Sequence, residues 1–303
     1  MNRISLIIPC YRDAATIARA LESVYRQTRP VEEVIVVIDC SPETEEIERV
    51  LRAFPQVVLV KHDVNLGLAA TRNTGVAAAT GDIVTFLDAD DELHPQKVEF
   101  QLHVLGQNTA VSCAVRRVWP GKPVGKPSLH ERVGAVQTVT ATGKMLLTNF
   151  LTGASLMIQK DLMLKVGGYD SSLRSCEDYD LWLRLIERGV TVRNIQLPLY
   201  YYHLNERSLS RDVANVSYWE LEVLKRYYAR GQREFLRSFR DRCIWAWWML
   251  KHLARLEQTP NETLRRRTVS NVELLADCPF LVWALKAVGR THLLRPYVHL
   301  KSP

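Results

Sequence analysis

The stretch "GDIVTFLDADDELHP" (81–95) decides how the chain is read. Its first half is a short β-branched and apolar run, of the kind that forms a strand covered on both faces. Its second half sets Asp88, Asp90, Asp91 and Glu92 within five positions. Carboxylates this crowded repel one another unless a cation, a proton or hydrogen bonds compensate them. A strand that ends on such a group carries it to one edge of a sheet, and the reading turns on what else arrives there.

Three more runs share the pattern: "RISLIIP" (3–9), "EVIVVID" (33–39) and "VVLVK" (57–61). Between them, "AATIARALESVYRQT" (14–28) puts Ile17, Leu21 and Val24 on one helical stripe, and "ETEEIERVLRAF" (43–54) does so with Ile47, Val50, Leu51 and Phe54. Strands alternating with helices over short connections predict an α/β fold, a Rossmann-like, mostly parallel sheet flanked by helices. Ligands on such sheets collect at the carboxyl ends of the strands. "PCYRD" (9–13), "DCSPE" (39–43) and "DADDE" (88–92) begin at those ends, and "HDVNLGLAATRNTG" (62–75) adds a glycine turn and Arg72 near a helix start.

Further along, residues 115–140 are rich in Pro, Gly and Lys and read as an irregular excursion with short strands. "NFLTGASLMIQKDLMLKVGGYD" (149–170) reads as strand, short helix and glycine turn, and "SCEDYDLWLRLIERG" (175–189) as an acidic start to an amphipathic helix. The pattern is helical from 211 onward, which puts a boundary near 210.

Composition narrows the classes. With 303 residues, 47% of them hydrophobic, the chain can bury a sizeable core. Its six cysteines lie far apart with no C-x-x-C pair, so they match neither a zinc site nor a secreted disulfide framework. The apolar stretch before Tyr11 is too short for a signal-peptide core, and "CIWAWWML" (243–250) falls well below the ~20 residues of a membrane span. A cytoplasmic protein is expected. The net charge of +7 is uneven: residues 1–210 carry 23 Lys and Arg against 24 Asp and Glu, residues 211–303 carry 17 against 9, and five of the seven tryptophans lie in the latter segment.

As chemistry, D-x-D at a strand end points two carboxylates to one side, and hard divalent cations such as Mg²⁺ or Mn²⁺ take carboxylate oxygen and bridge to phosphate. The plainer reading is a solvated acidic loop that caps the next helix. Arg72 is likewise either a helix-surface charge or a partner for phosphate or a carboxylate.

Taken in order, "SLIIPCYRDAATIARALESVYRQT", "VIVVIDCSPE", "NLGLAATRNTG", "ATGDIVTFLDADDELHP", "TGASLMIQKDLMLKVGGYD", "CEDYDLWLRL" and "YYHLNERSLS" resemble the family 2 glycosyltransferases of the GT-A fold. The resemblance covers roughly residues 3–210. It implies a catalytic domain over 1–210, with a nucleotide-sugar half to about 110 and an acceptor half over about 111–210, followed by a basic, Trp-rich helical extension over 211–303. Pro9, Tyr11 and Asp39 would line the nucleoside pocket, with Asp39 accepting from the base. Arg72 would sit against the base or diphosphate and Asp88 would face the ribose. Asp90 would be the main ligand of a divalent cation, joined by Asp88 and by His203. Asp91 is read as a helix-start residue.

On the acceptor side, Glu177 and Asp178 match the acidic pair from which the family draws its catalytic base, here Asp178, and Asp180 should face elsewhere. Gly153, Ala154 and Ser155 are small where backbone would approach sugar or acceptor. The implied reaction is inverting transfer of one sugar from a nucleoside-diphosphate sugar, a UDP-sugar first among donors, to a glycan or lipid-linked acceptor in cell-surface polysaccharide assembly. The processive Q-x-x-R-W signature is absent. Departures fall on the nucleobase wall: Ile38 and Cys40 replace an acid and a glycine, and Arg12 an asparagine.

Two other readings share the fold. A sugar nucleotidyltransferase would want a glycine-rich triphosphate loop, which "PCYRDAAT" lacks; a degenerate glycan-binding or scaffold protein would be expected to have lost Asp90 or the 177/178 pair, which are present. For the basic extension, the readings are a helix packed on the catalytic domain or peripheral docking on an anionic membrane. No nucleic-acid motif accompanies the charge, so nucleic acid is not expected as a partner.

Overall fold

The computed structural model describes residues 2–122, 124–125, 128–130, 132–140, 145, 149–205 and 212–230. The chain forms two compact units, residues 1–140 with 150–208, and residues 141–149 with 209–303.

The first unit is built on one sheet. Strands β1 (Ile4–Cys10), β2 (Glu33–Asp39), β3 (Val58–His62) and β4 (Ile83–Phe86) run parallel in the order β3-β2-β1-β4. They are joined through α1 (Ile17–Tyr25), α2 (Thr44–Leu51) and α3 (Leu68–Ala78). The chain continues as β5 (Glu92–Leu93), α4 (Lys97–Val104), β6 (Thr109–Val118), β7 (Val136–Val139), a 3-10 turn at Gly153–Ser155, β8 (Met157–Gln159), α5 (Lys160–Lys165), α6 (Glu177–Glu187) and β9 (Thr191–His203). The sheet extends past β4 as β8-β6-β9-β5, with β7 also on β9. Strand β8 lies antiparallel between β4 and β6, and its antiparallel setting ends the parallel half.

Core formation follows the sequence pattern. Every residue of β1 is buried, and Leu6 and Ile8 pack with Val34, Val36 and Ile38 against the apolar stripes of α1 and α2 (Ile17, Leu21, Val24, Ile47, Leu51). On the other face α3 packs so close that a Cβ at Gly75 would lie 2.3 Å from Ile7 Cγ2, which accounts for a glycine inside a helix where it otherwise weakens helical structure.

Three expectations need correction. The run "VVLVK" forms β3, but as an edge strand with Val58 and Leu59 at 42% and 38% exposure, not a strand covered on both faces. Strand β4 ends at Phe86, so Asp88 and Asp90 lie in a turn closed by the Asp91 N–H on the Asp88 carbonyl (3.1 Å), and strand alternation does not set their direction. Asp91 does not start a helix: β5 follows at once, paired with Tyr200 and Tyr201 of β9, and α4 begins only at Lys97. Asp91 is instead fully buried, and accepts from the Tyr200 hydroxyl and the His203 N–H (each 2.7 Å).

In the second unit α7 (Val213–Ala229) carries Tyr218 edge-on to Trp219. Of the basic, Trp-rich helical extension expected over 211–303, residues 231–303 lie outside the described residues. Among the described residues, no helix is long and apolar enough to cross a membrane.

Candidate active site

Arg72, on the second turn of α3, is the centre of the site and is 3% exposed. Its Nη1 donates to Glu177 Oε1 at 2.6 Å and its Nη2 to Asp88 Oδ1 at 2.8 Å. Its guanidinium lies 5.3 Å from the centre of the Tyr169 ring. Burial disfavours the cation, but Asp88, Tyr169 and Glu177 outweigh it and hold Arg72 charged. Glu177 is also raised, which for a carboxyl favours the neutral form: burial pushes it above the usual range and Asp178 adds to this, while Arg72 opposes both. The sequence set Arg72 against base or diphosphate; the structure ties it to one carboxylate from each half of the unit.

Asp178 is one residue further into α6, which starts after Cys176 in a left-handed conformation (φ 60°). Asp178 is only half-buried. Its Oδ2 accepts from the Gly153 N–H at 3.0 Å and its Oδ1 from the Tyr179 N–H at 2.7 Å. A Cβ at Gly153 would stand 2.7 Å from Asp178 Cβ, so the smallness of this turn is required by the carboxylate it holds. Asp180, as expected, turns away, into Arg184 Nε at 2.6 Å.

Compensation in the acidic knot is uneven: Asp88 and Glu92 are paired with cations or histidine, while Asp90 is held less well. Asp90 Oδ2 accepts from Asn205 Nδ2 at 2.6 Å and its carbonyl from Arg19, yet burial and the neighbouring Asp88 raise its carboxyl above the ordinary range. Asp13, in the loop after β1, is raised to about 7 by burial and by the charges of Asp90 and Asp88, against a Tyr11 N–H that lowers it. Asp13 and Asp90, both raised with Asp88 among the causes, are oxygen donors of the kind a hard divalent cation takes, and a cation there would offset that repulsion. Among the described residues no group of three His, Cys, Asp or Glu side chains is already arranged to hold one. His203 Nε2 is 2.8 Å from Glu92 Oε1, which also pairs with Arg19.

The nucleobase wall assigned from sequence sits on β1 and β2. Asp39 is buried, and its carboxylate takes His62 Nδ1 (2.7 Å) and the N–H groups of Leu66 and Gly67 (2.8 Å each). Burial raises it, but these hydrogen bonds prevail and hold it below the usual range. Three of about four acceptor positions are thus taken by the chain. Pro9 is buried in β1 beside Val37, while Tyr11 is 41% exposed with the Arg12 guanidinium 5.2 Å from its ring centre.

Several members of this constellation were not singled out in the sequence. Asp13 and Asn205 lie within quoted segments, but nothing local marks them as neighbours of Asp90. Asn73 pairs both ways with the Tyr169 backbone, donating to its carbonyl (2.7 Å) and accepting from its N–H (2.9 Å), and so joins α3 to the acceptor half.

Two family models match the chain: Glycosyl transferase family 2 over residues 5–164 and Glycosyltransferase like family 2 over residues 126–270. An uncharacterized glycosyltransferase of Haemophilus influenzae is 33% identical over 233 residues, covering 75% of this chain and 77% of the relative. The chain belongs to glycosyltransferase family 2. The amylovoran biosynthesis glycosyltransferase AmsB of Erwinia amylovora is 27% identical, with 75% and 79% covered. In fold, this glycosyltransferase is similar to the mannosyltransferase PcManGT from Pyrobaculum calidifontis, solved in complex with GDP-Man and Mn²⁺ (TM-score 0.61, 16% identity, 98% of this chain and 86% of that one). The sheet flanked by helices is that of the GT-A glycosyltransferases.

Proposed function

We propose that this glycosyltransferase moves one sugar, with inversion, from a nucleoside-diphosphate sugar to a hydroxyl of a glycan or lipid-linked acceptor in the assembly of a surface polysaccharide. The observation that carries this reading is the Asp88–Arg72–Glu177 arrangement, which sets the donor-side loop beside the half-buried Asp178.

Asp178 takes the proton of the acceptor hydroxyl as that oxygen attacks the anomeric carbon. The N–H groups of Gly153 and Tyr179 orient its carboxylate for that step. Arg72, buried and charged, stabilises negative charge growing on the departing diphosphate, and Glu177 keeps it in place. Asp88 and Asp90 would hold a divalent cation, Mg²⁺ or Mn²⁺, which would supply compensation for the charge of the leaving group. Asp39, Pro9 and Tyr11 receive the nucleoside. No covalent intermediate forms.

Catalysis is assigned to residues 1–210. The basic excess of 211–303 is assigned to peripheral docking on an anionic membrane that carries the acceptor. AmsB, named for amylovoran biosynthesis, supports the polysaccharide role. Uridine donors come first in the assay and GDP-mannose second, the latter because the solved mannosyltransferase of similar fold holds it.

The test is thermal stability of the full chain with UDP-GlcNAc, UDP-glucose, UDP-galactose and GDP-mannose, each with Mn²⁺, Mg²⁺ or chelator, for wild type and Asp90→Ala. A metal-dependent rise with one donor, absent in the variant and followed by release of its nucleoside diphosphate, is the expected result. Stability unmoved by every donor at millimolar concentration refutes the donor site.

A further inference from the structure

Two buried polar residues of α4 are not used by the proposed reaction. Lys97 and Gln101 are each 0% exposed and stand one helical turn apart on the same face. Gln101 Nε2 donates to the carbonyls of Ser155 (2.6 Å) and Val111 (3.2 Å). Lys97 Nζ donates to Thr85 Oγ1 (2.9 Å), and the Thr85 hydroxyl donates to the carbonyl of Leu156 (2.8 Å). The two arms therefore grip the consecutive carbonyls of residues 155 and 156.

Those residues close the 3-10 turn that holds Asp178. Ser155 Oγ donates to the Thr152 carbonyl (2.8 Å) and lies 2.6 Å from Ser112 Oγ, and the Leu156 N–H returns to the Gly153 carbonyl (3.2 Å). Between them the turn presents the Gly153 N–H to Asp178. A lysine in such a place is costly: burial lowers its amine to about 8, and its hydrogen bond runs to a hydroxyl, not to a carboxylate. Helix–sheet packing alone would be served as well by Leu or Met.

We propose that Lys97 and Gln101 are positioning residues, a buried two-armed clamp that sets the place of the Gly153 amide and through it the orientation of the Asp178 carboxylate. The inference rests on the reading of Asp178 as the base. Among the described residues, the charged and titratable groups facing Asp178 include Glu177 on its own helix, Tyr169 and, beside Gly153, Arg72. None of them is altered by a change at Gln101.

The experiment compares the full-length wild type with Gln101→Met, which keeps the volume and removes the donor. Asp178→Asn assigns the Asp178 carboxyl resonance. The readouts are the NMR shift of the Gly153 amide, the titration of the Asp178 carboxyl, and nucleoside-diphosphate release across pH from a donor the wild type uses. Loss of hydrogen bonding to the charged form moves a carboxyl titration upward. The expected result is a moved Gly153 amide, an Asp178 titration about one pH unit higher, and about tenfold slower turnover at neutral pH with the donor KM unchanged. A folded Gln101→Met with the wild-type amide shift and titration overturns the clamp. Should Gln101→Met fail to fold, Thr85→Val cuts the Lys97 arm and is held to the same two readouts. If Asp178→Asn retains full turnover, the base assignment is lost, while the amide and carboxyl signals still decide whether α4 sets the turn.

Discussion

Replacing Arg72 by Met tests the centre of the site. The substitution keeps the side chain's length and removes two charge-assisted hydrogen bonds, of 2.6 and 2.8 Å. The two carboxylates left behind differ. Asp88, with 27% of its side chain exposed, can rehydrate, whereas Glu177 has 9% exposed and remains a buried charge without its cation. Breaking a buried pair in this way costs about 3–5 kcal/mol. For a unit of about 200 residues, at roughly 2–4 °C per kcal/mol, the melting temperature should fall by about 10 °C at pH 7.5.

The pH dependence has a definite sign. The folded pKa of Glu177 already lies above its unfolded value, and loss of Arg72 raises it further. The folded state is unpenalised below the unfolded pKa and loses stability as pH rises toward the folded one. The defect of Arg72→Met is therefore largest near pH 8 and shrinks toward pH 5. The double variant Arg72→Met/Glu177→Gln, in which neither member of the buried pair is charged, should regain most of the loss. Thermal unfolding of the two single variants and the double at pH 5 and 7.5 checks this. A wild-type melting temperature for Arg72→Met at pH 7.5, or a double variant no better than the single, would refute the reasoning.

Other outcomes follow from neighbouring residues. Asp178→Asn should slow nucleoside-diphosphate release about 10²–10⁴-fold while the melting shift produced by the donor persists, as read by parallel kinetics and thermal shift. Gly153→Ala, whose Cβ would meet Asp178 Cβ at 2.7 Å, should lose about 1–3 kcal/mol by overpacking, with a lower melting temperature and slower turnover. For Asp13, raised to about 7, the folded state is favoured below its unfolded pKa and weakened as pH climbs through 7. Asp13→Asn should thus become progressively more stable than wild type between pH 5 and 8 in chelator, and Mn²⁺ should narrow the difference; a gap independent of pH would contradict it.

The parallel half of the fold was legible because its strands are buried on both faces and so are written as unbroken apolar runs, with Ile17, Leu21 and Val24 marking the helix that covers them. Edge position was not legible: Val58 and Leu59 look like core in sequence, and only the strand order exposes them. Asp39, Arg72, Asp88 and the 177/178 pair could be singled out because each stands at a strand end or helix start in a recognisable string. Their partners could not, because the bond between Arg72 and Glu177 spans 105 residues and no local pattern encodes it. Asp91 and His203 show the converse. Asp91 reads as a helix start and His203 as a metal ligand, and their hydrogen bonds fasten the loop after β4 to the end of β9.

Strand β9 has a consequence of another kind. It is thirteen residues long and is paired on both sides: with β6 from Thr191 to His203 along one, with β7 and then β5 along the other. The chain leaves it at Val118, beside His203, and returns at Val136, beside Ile195. Both ends of the intervening excursion are thereby fixed to one rail, and the far end of that rail is anchored by Asp91. Within that excursion residues 128–130 are tied to the turn after β5: Gln96 donates to the His130 carbonyl and accepts from its N–H (2.6 Å each), and His94 Nε2 lies 3.1 Å from the Ser128 carbonyl. One strand thus ties down both ends of the excursion and, through His203 and Asp91, the loop that carries Asp88 and Asp90, so that a strain at one is felt along the same rail by the other.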